Sequence, residues 1–252
     1  MNVPNPQPAR PLPIVYESDD YVAVDKPAGL AAIPGRAETD SVLERLARQL
    51  GVPSKGTSDV RLRVVHRIDK ETTGVMLFAQ SLDAQRHVSH QFQNNTVAKE
   101  YMALVYGKIA EDEGRIDNPL APHPAHKDRM TIVKRGGRPA VTEWRVEQRL
   151  RTFTLVRVFP KTGKTHQIRV HFAHIGHPLV VDPLYGSPNP VLLSDHKRNY
   201  RPTRGVDERP LLARLGLHAL TLTFRDLNDQ PVTVGAAVPK DLRATLNQLS
   251  KL

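Results

Sequence analysis

There is no cysteine among the 252 residues of this chain. That removes disulfides, thiol nucleophiles and sulfur-ligated zinc, iron–sulfur or redox centres, and it makes a cytoplasmic protein the simplest reading. No apolar run approaches the length needed to cross a bilayer, so no membrane association is expected. The first thirteen residues lack the charged start and apolar centre of a signal peptide. They carry prolines at positions 4, 6, 8, 11 and 13 and read as an extended, flexible tail, residues 1–13. Acids are missing locally as well. Arg151 to His177 holds Arg151, Arg157, Lys161, Lys164 and Arg169 with four histidines and no acid.

What is present is an excess of positive charge. Lys and Arg number 36 against 26 Asp and Glu, a net charge of +10, which favours a polyanionic partner. A second basic stretch, His123 to Pro139, sets Lys127, Arg129, Lys134, Arg135 and Arg138 against Asp128 alone. Both stretches fit phosphate-contacting surfaces, and both also fit ordinary solvated basic faces.

Strand patterns dominate. Ile14 to Tyr16 and Tyr21 to Asp25 suggest a hairpin, and apolar alternation suggests further strands over Arg61 to Ile68, Val75 to Ala79, Lys99 to Tyr106, Phe153 to Phe159, Thr165 to Phe172, Leu215 to Phe224 and Val232 to Ala236. A helix is expected after Ser41, with Glu44 completing a capping box, an apolar stripe of Val42, Leu43, Leu46, Ala47 and Leu50, and Gly51 as C-terminal cap. A second should cover about Leu82 to Asn94, burying Ala84, Val88 and Phe92, and a third should follow Pro239 with Leu242, Leu246 and Leu249 inward. Many strands, few helices and no regular βαβ alternation predict an α+β fold, a large mixed, mostly antiparallel sheet with flanking helices. The expected organisation is one domain over 14–252, interrupted by a polar basic loop at 187–210.

One acid stands out. In HRIDKETTG, His66 to Gly74, Asp69 lies between Arg67 and Lys70 shortly before a glycine turn. An acid there can be an Asx turn or helix cap, as short acids often are, or a reactive group presented at a strand end. The histidines at 166, 171, 174 and 177 do not match a paired HExxH arrangement and lack its glutamate. They are therefore read as polyanion contacts or core residues, and no metal is expected.

HRIDKETTG resembles the signature HRLD-x-x-TSG of the RluA family of RNA pseudouridine synthases, with Ile68 for Leu and Thr73 for Ser. Further motifs similar to the family's follow its order: DKPAGL at Asp25, KEYMALVYG at Lys99, TGKTHQIRVH at Thr162, HPLVVDPLYG at His177 and RLGLHA at Arg214. Together they span roughly residue 14 to the C terminus. The resemblance implies the pseudouridine synthase catalytic fold without the extra N-terminal RNA-binding domain of several members. It also implies isomerisation of uridine in structured RNA, ribosomal or transfer, with no cofactor.

The residue roles follow from the same resemblance. Asp69 is expected to be the reacting carboxylate, Arg169 its bidentate guanidinium partner, and Tyr101 a residue that stacks on the base and helps remove the carbon 5 proton. Ile168 is expected to meet the uracil, although strand alternation would turn it away from Arg169. Arg67 is expected to fill the space left by a flipped base, and His66, Thr73, His166 and Gln167 to contact substrate. RNA is the expected partner of a monomeric chain. Two other classes remain: a non-catalytic RNA-binding or ribosome-assembly factor with the same fold, and a metal-assisted hydrolase using the histidines.

Overall fold

The structure is a computed structural model that describes residues 10–35, 40–53, 61–198, 200–201 and 205–252. Residues 1–9 of the expected tail therefore lie outside the described residues. At the end of that segment Leu12 is buried, and its backbone N–H and C=O both bond the Gln49 side-chain amide, at 2.8 and 3.0 Å.

Strand β1 (Ile14–Glu17) pairs antiparallel with β2 (Tyr21–Lys26) as the expected hairpin. Helix α1 (Val42–Leu50) starts where the Ser41 hydroxyl accepts the Glu44 N–H at 3.2 Å, and it ends at Gly51 in the left-handed region. Its stripe of Val42, Leu43, Leu46 and Ala47 packs on Val22, Val24, Met76 and Phe78.

The next strand departs from expectation. β3 is only Arg63–Val64. Its ladder on β4 (Thr73–Ala79) stops at Val64 opposite Phe78, because His66 Nε2 accepts the Leu77 N–H at 2.9 Å. A side chain has taken the acceptor position that a strand carbonyl would have filled. Asp69 consequently sits in an irregular loop between β3 and β4 rather than at a strand end. Helix α2 (Leu82–Gln93), capped by Ser81, buries Ala84 and Val88 beside Val75 and Leu77.

Strands β5 (Ala98–Tyr106), β6 (Glu113–Asp117), β7 (Leu120–Pro122), β8 (Met130–Ile132), β9 (Val141–Arg149) and β10 (Phe153–Pro160) follow. The sequence reading missed β6 to β9. β7 and β8 are three residues each, and one face of β9 is charged, with Glu143 and Glu147 pairing with Arg115, Lys161 and Arg157.

The segment read as a strand over Thr165 to Phe172 is instead helix α3 (Gln167–His174). Every residue from Gln167 to Phe172 is buried. A helix enclosed on all sides carries no polar stripe, so Ile168, Val170 and Phe172 mimic a strand's alternation. The chain closes with β11 (Leu217–Arg225), β12 (Pro231–Gly235) and α4 (Lys240–Leu249).

The order β1-β2-β4-β11-β5-β10-β9-β6, with β3 on β4 and β12 on β11, makes a ten-stranded sheet, while β7 and β8 form a separate ribbon. Among the described residues only β4 and β11 pair in parallel within it, so the sheet is mixed and mostly antiparallel. Alternation along β5 sorts the packing: Ala103 and Val105 meet α3 residues, whereas Met102 and Leu104 meet Leu242 and Leu249 of α4. Tyr101 touches both the α2 cluster and the α3 cluster. It stands at the seam between them.

That seam depends on close approach of β4 and β11. Gly74 has φ 113, and a Cβ there would lie 2.1 Å from the Ala219 carbonyl oxygen. Because the obstacle is backbone, Gly74→Ala is expected to destabilise the fold by about 3 kcal/mol or more, measured as a lowered urea midpoint. An unchanged midpoint would show that the two strands can separate without loss.

Candidate active site

The loop before β4, strand β5 and helix α3 meet around a cavity of about 1110 Å³. Asp69, Tyr101, Ile168 and Arg169 line it together with His66, Arg67, His166 and Gln167. Because α3 is a helix, Ile168 and Arg169 are separated by about 100° rather than 180°, so both reach the same cavity. The obstacle raised by strand alternation disappears.

Asp69 keeps 24% of its side chain exposed, while Arg169 is buried. The guanidinium does not form its bidentate pair with Asp69. Its Nε and Nη2 bond the two carboxylate oxygens of Asp182 at 2.8 and 2.7 Å, and only Nη1 reaches Asp69 Oδ2, at 3.3 Å. A planar fork satisfies one carboxylate bidentately and has an N–H left over. Burial decides which acid takes the fork: Asp182 is fully enclosed, and a buried carboxylate without a partner is the costlier of the two. Asp182 Oδ1 also accepts the Leu184 and Tyr185 N–H groups at 2.9 and 3.2 Å. The Tyr185 ring lies 5.2 Å beneath the guanidinium, within cation–π range.

Backbone strain brackets this network. His166, immediately before α3, and Val181, immediately before Asp182, both have φ 54. For a β-branched residue that is a true outlier, the kind that persists only where surrounding contacts fix it. His166 Nδ1 lies 2.9 Å from the Tyr185 hydroxyl, which also accepts the Met130 N–H at 2.7 Å, and its Nε2 is 4.0 Å from Asp69 Oδ2. Burial lowers the His166 pKa against the opposing pull of Asp69.

The loop carrying Asp69 is held from below by Lys26. This lysine is buried and donates to the carbonyls of Pro27, Leu30 and Lys70 at 2.8, 2.8 and 2.7 Å. All three ammonium protons are used, and Lys70 directly follows Asp69 in sequence. Burial pulls the Lys26 pKa down to about 8, with Glu71 and Asp69 resisting.

A family model described as RNA pseudouridylate synthase matches residues 20–174. The chain belongs to the RNA pseudouridylate synthase family. It is 42% identical over 247 residues to ribosomal large subunit pseudouridine synthase D of Nitrosomonas europaea, covering 97% of this chain and 67% of that protein. It is 34% identical to the protein of the same name from Escherichia coli K12, over 92% of this chain and 68% of that one. In structure it is similar to human RNA pseudouridylate synthase domain containing 1, with a TM-score of 0.71, 26% identity and coverage of 95% and 90% of the two chains.

Within this pseudouridylate synthase fold, one expected site residue stands back from the cavity and two that border it are committed to the scaffold. Thr73 is buried behind it, with its hydroxyl 2.9 Å from His218 Nδ1 and 3.3 Å from Leu217 O. Gln167 borders the cavity, but its amide is committed: Oε1 accepts from Thr162 Oγ1 and Lys164 N, and Nε2 donates to Val141 O and Thr142 Oγ1. It positions the loop before α3. His66 stacks on Phe92 at 4.7 Å and holds β4 through Leu77. Arg67 is exposed on the cavity wall.

Of the other histidines in the run from 166 to 177, His174 is exposed and the remaining two are scaffold. His171 bonds Thr142 and Asn118, and His177 bonds the Tyr106 carbonyl. Among the described residues no group of His, Asp and Glu is arranged to hold a metal, and no helix is long and apolar enough to cross a membrane.

The sequence reading missed Asp182, Tyr185 and Lys26 as site residues. The first two lie in the HPLVVDPLYG motif and the third in DKPAGL. The strings were visible, but their contacts were not.

Two measurements follow. Asp182→Ala removes the fork's partner and leaves Arg169 buried with one long bond, so a loss of about 3–5 kcal/mol in unfolding free energy is expected. Asp182→Asn, which keeps an acceptor, should lose less. The second concerns pH. Burial lowers the His66 pKa to about 3, with Lys99 adding to the effect. The folded imidazole is then neutral while the unfolded one takes up a proton below about 6.5. The unfolded state binds more protons in that window, so stability falls as pH drops from about 6.5 towards 3. The fall between about pH 7 and 5 should be smaller in His66→Gln.

Proposed function

We propose that this protein isomerises uridine to pseudouridine in large-subunit ribosomal RNA, with Asp69 as the reacting carboxylate. The single observation that carries the residue assignment is the Asp69 carboxylate in a cavity beside Tyr101, held by only one hydrogen bond of a guanidinium whose fork is committed elsewhere. The choice of ribosomal RNA over transfer RNA rests on the names of the relatives that are 34 to 42% identical.

The uridine must leave its stack to reach Asp69, at a cost of a few kcal/mol, and Arg67 on the cavity wall is positioned to occupy the vacated space. Asp69 then attacks ribose C1′, or stabilises its developing positive charge, as the bond to N1 breaks. The freed uracil turns and C5 bonds to C1′, releasing the Asp69 carboxylate where it had bonded there; the C5 proton then leaves and N1 takes up a proton. Atoms and electrons balance, and no cofactor is required.

Burial, with Asp69 adding to it, pushes the Tyr101 phenol pKa well above its ordinary value. The hydroxyl is protonated at neutral pH and cannot act as a simple base. The ring stacks on the uracil, and the hydroxyl takes the C5 proton while passing its own to solvent in the open cavity, which also supplies the proton that N1 takes up.

Tritium release from RNA labelled at uridine C5 tests the reading. Wild-type protein should release tritium from large-subunit ribosomal transcripts and not from transfer RNA, and Asp69→Asn should bind RNA normally yet release none. Substantial turnover by Asp69→Asn would refute the assignment. Tyr101→Phe should lose about 10²-fold or more in turnover with RNA affinity retained; parental turnover would eliminate the hydroxyl from proton transfer. Release by neither RNA, with binding intact, would favour the non-catalytic RNA-binding reading.

A further inference from the structure

Two lysines in the cavity are unexplained by the chemistry on uracil and ribose. Lys99 lies on β5 two residues before Tyr101, and side-chain alternation puts both on the same face of the strand. Glu100, between them, points the other way and pairs with Arg157 and Thr221. Lys164 lies in the loop that Gln167 fixes through the Lys164 N–H, at 3.0 Å. Both lysines line the same cavity as Asp69. Neither ammonium has a carboxylate or hydrogen-bond partner among the described residues.

Their surroundings make that absence significant. Lys99 is partly buried, and Lys164 is close enough for its charge to disfavour the Lys99 cation further. Arg67 and Arg138 also line the cavity, whereas its acids are Asp69, already bonded to Arg169, and Glu71. Two partly desolvated like charges with no counterion are unfavourable unless a ligand supplies the anion. The cavity, about 1110 Å³, also exceeds the roughly 300–1,000 Å³ of typical small-ligand sites.

We propose that Lys99 and Lys164 form a seat for an RNA backbone phosphate flanking the flipped uridine, so that the nucleotide is fixed by its phosphate while Asp69 and Tyr101 act on its sugar and base. This rests on the synthase reading for the identity of the nucleotide, but the anion seat itself rests on the two lysines. The seat positions substrate and takes no part in bond making. Its removal should therefore weaken binding rather than slow the chemical step.

The test compares the wild-type chain with Lys99→Met, which keeps the apolar stem, Lys99→Arg, which keeps the charge, and Lys164→Met. Binding of a large-subunit ribosomal transcript is measured across a salt series, alongside single-turnover tritium release at saturating RNA. For Lys99→Met and Lys164→Met, affinity should fall about tenfold and the salt slope should drop by roughly 0.7 to 0.9. The saturated rate should stay within about twofold of wild type, and Lys99→Arg should restore affinity.

Parental affinity and slope in Lys99→Met would overturn the seat while leaving the synthase reading intact. A collapsed saturated rate with normal affinity would also overturn it, because Lys99 would then act in the chemistry or its geometry. If wild type binds RNA but turns over none, the synthase reading fails, and the binding arms still decide whether the lysines hold phosphate.

Discussion

The Asp182–Arg169 ion pair organises everything around it. A buried pair of this kind adds little net stability, because removing two charges from water offsets most of their attraction. Its value here is directional. Two fork bonds to Asp182 fix the plane of the guanidinium, Tyr185 packs beneath it, and the remaining Nη1 points at Asp69. The three charged groups sum to one negative charge. Since Asp182 is enclosed and Asp69 is not, that excess resides on the carboxylate facing the cavity.

The rest of the fold supplies walls and braces for this arrangement. The close approach of β4 and β11 at Gly74 and Ala219 brings the two halves of the chain to one sheet centre. The α2 and α3 clusters leave a seam there, with Tyr101 between them. Lys26 ties the Asp69 loop to the Pro27–Leu30 turn. The Tyr185 hydroxyl links the β7–β8 ribbon, through the Met130 N–H, to His166 beside Asp69. The ribbon and the Asp69 carboxylate are thus connected through two side chains, Tyr185 and His166, whose far nitrogen lies 4.0 Å from Asp69 Oδ2. Strain at His166 and Val181 is the expected signature of a geometry held by many contacts at once.

Much of this was legible in the residues. The caps and stripe of α1 are local: Ser41, Glu44 and Gly51 act within one turn of themselves, and the structure realises the N-terminal and C-terminal caps there. The hairpin of β1 and β2, the burial of Ala84 and Val88 in α2, where Phe92 is only half-buried, and the start of α4 after Pro239 are equally local. Misreadings arose where distant chain supplied the partner. β3 stops early because an imidazole intercepts a strand N–H. α3 was mistaken for a strand because enclosure on all sides erases the amphipathic period. Thr73 sits in the conspicuous motif yet spends its hydroxyl on residues near His218.

The sequence alone favoured a polyanionic partner, through its net positive charge, and marked the family, through ordered motifs. It also named Asp69, Tyr101 and Arg169, which lie 32 and 68 residues apart in succession and still line one cavity. Only the tertiary structure decided how the charges are shared: that Arg169 gives its fork to Asp182, that Lys26 lies beneath the loop, and that Lys99 and Lys164 face the cavity with no counterion among the described residues. Those facts depend on which groups lose their water and which neighbours replace it. Burial and long-range pairing are set by the whole fold, and no window of sequence contains them.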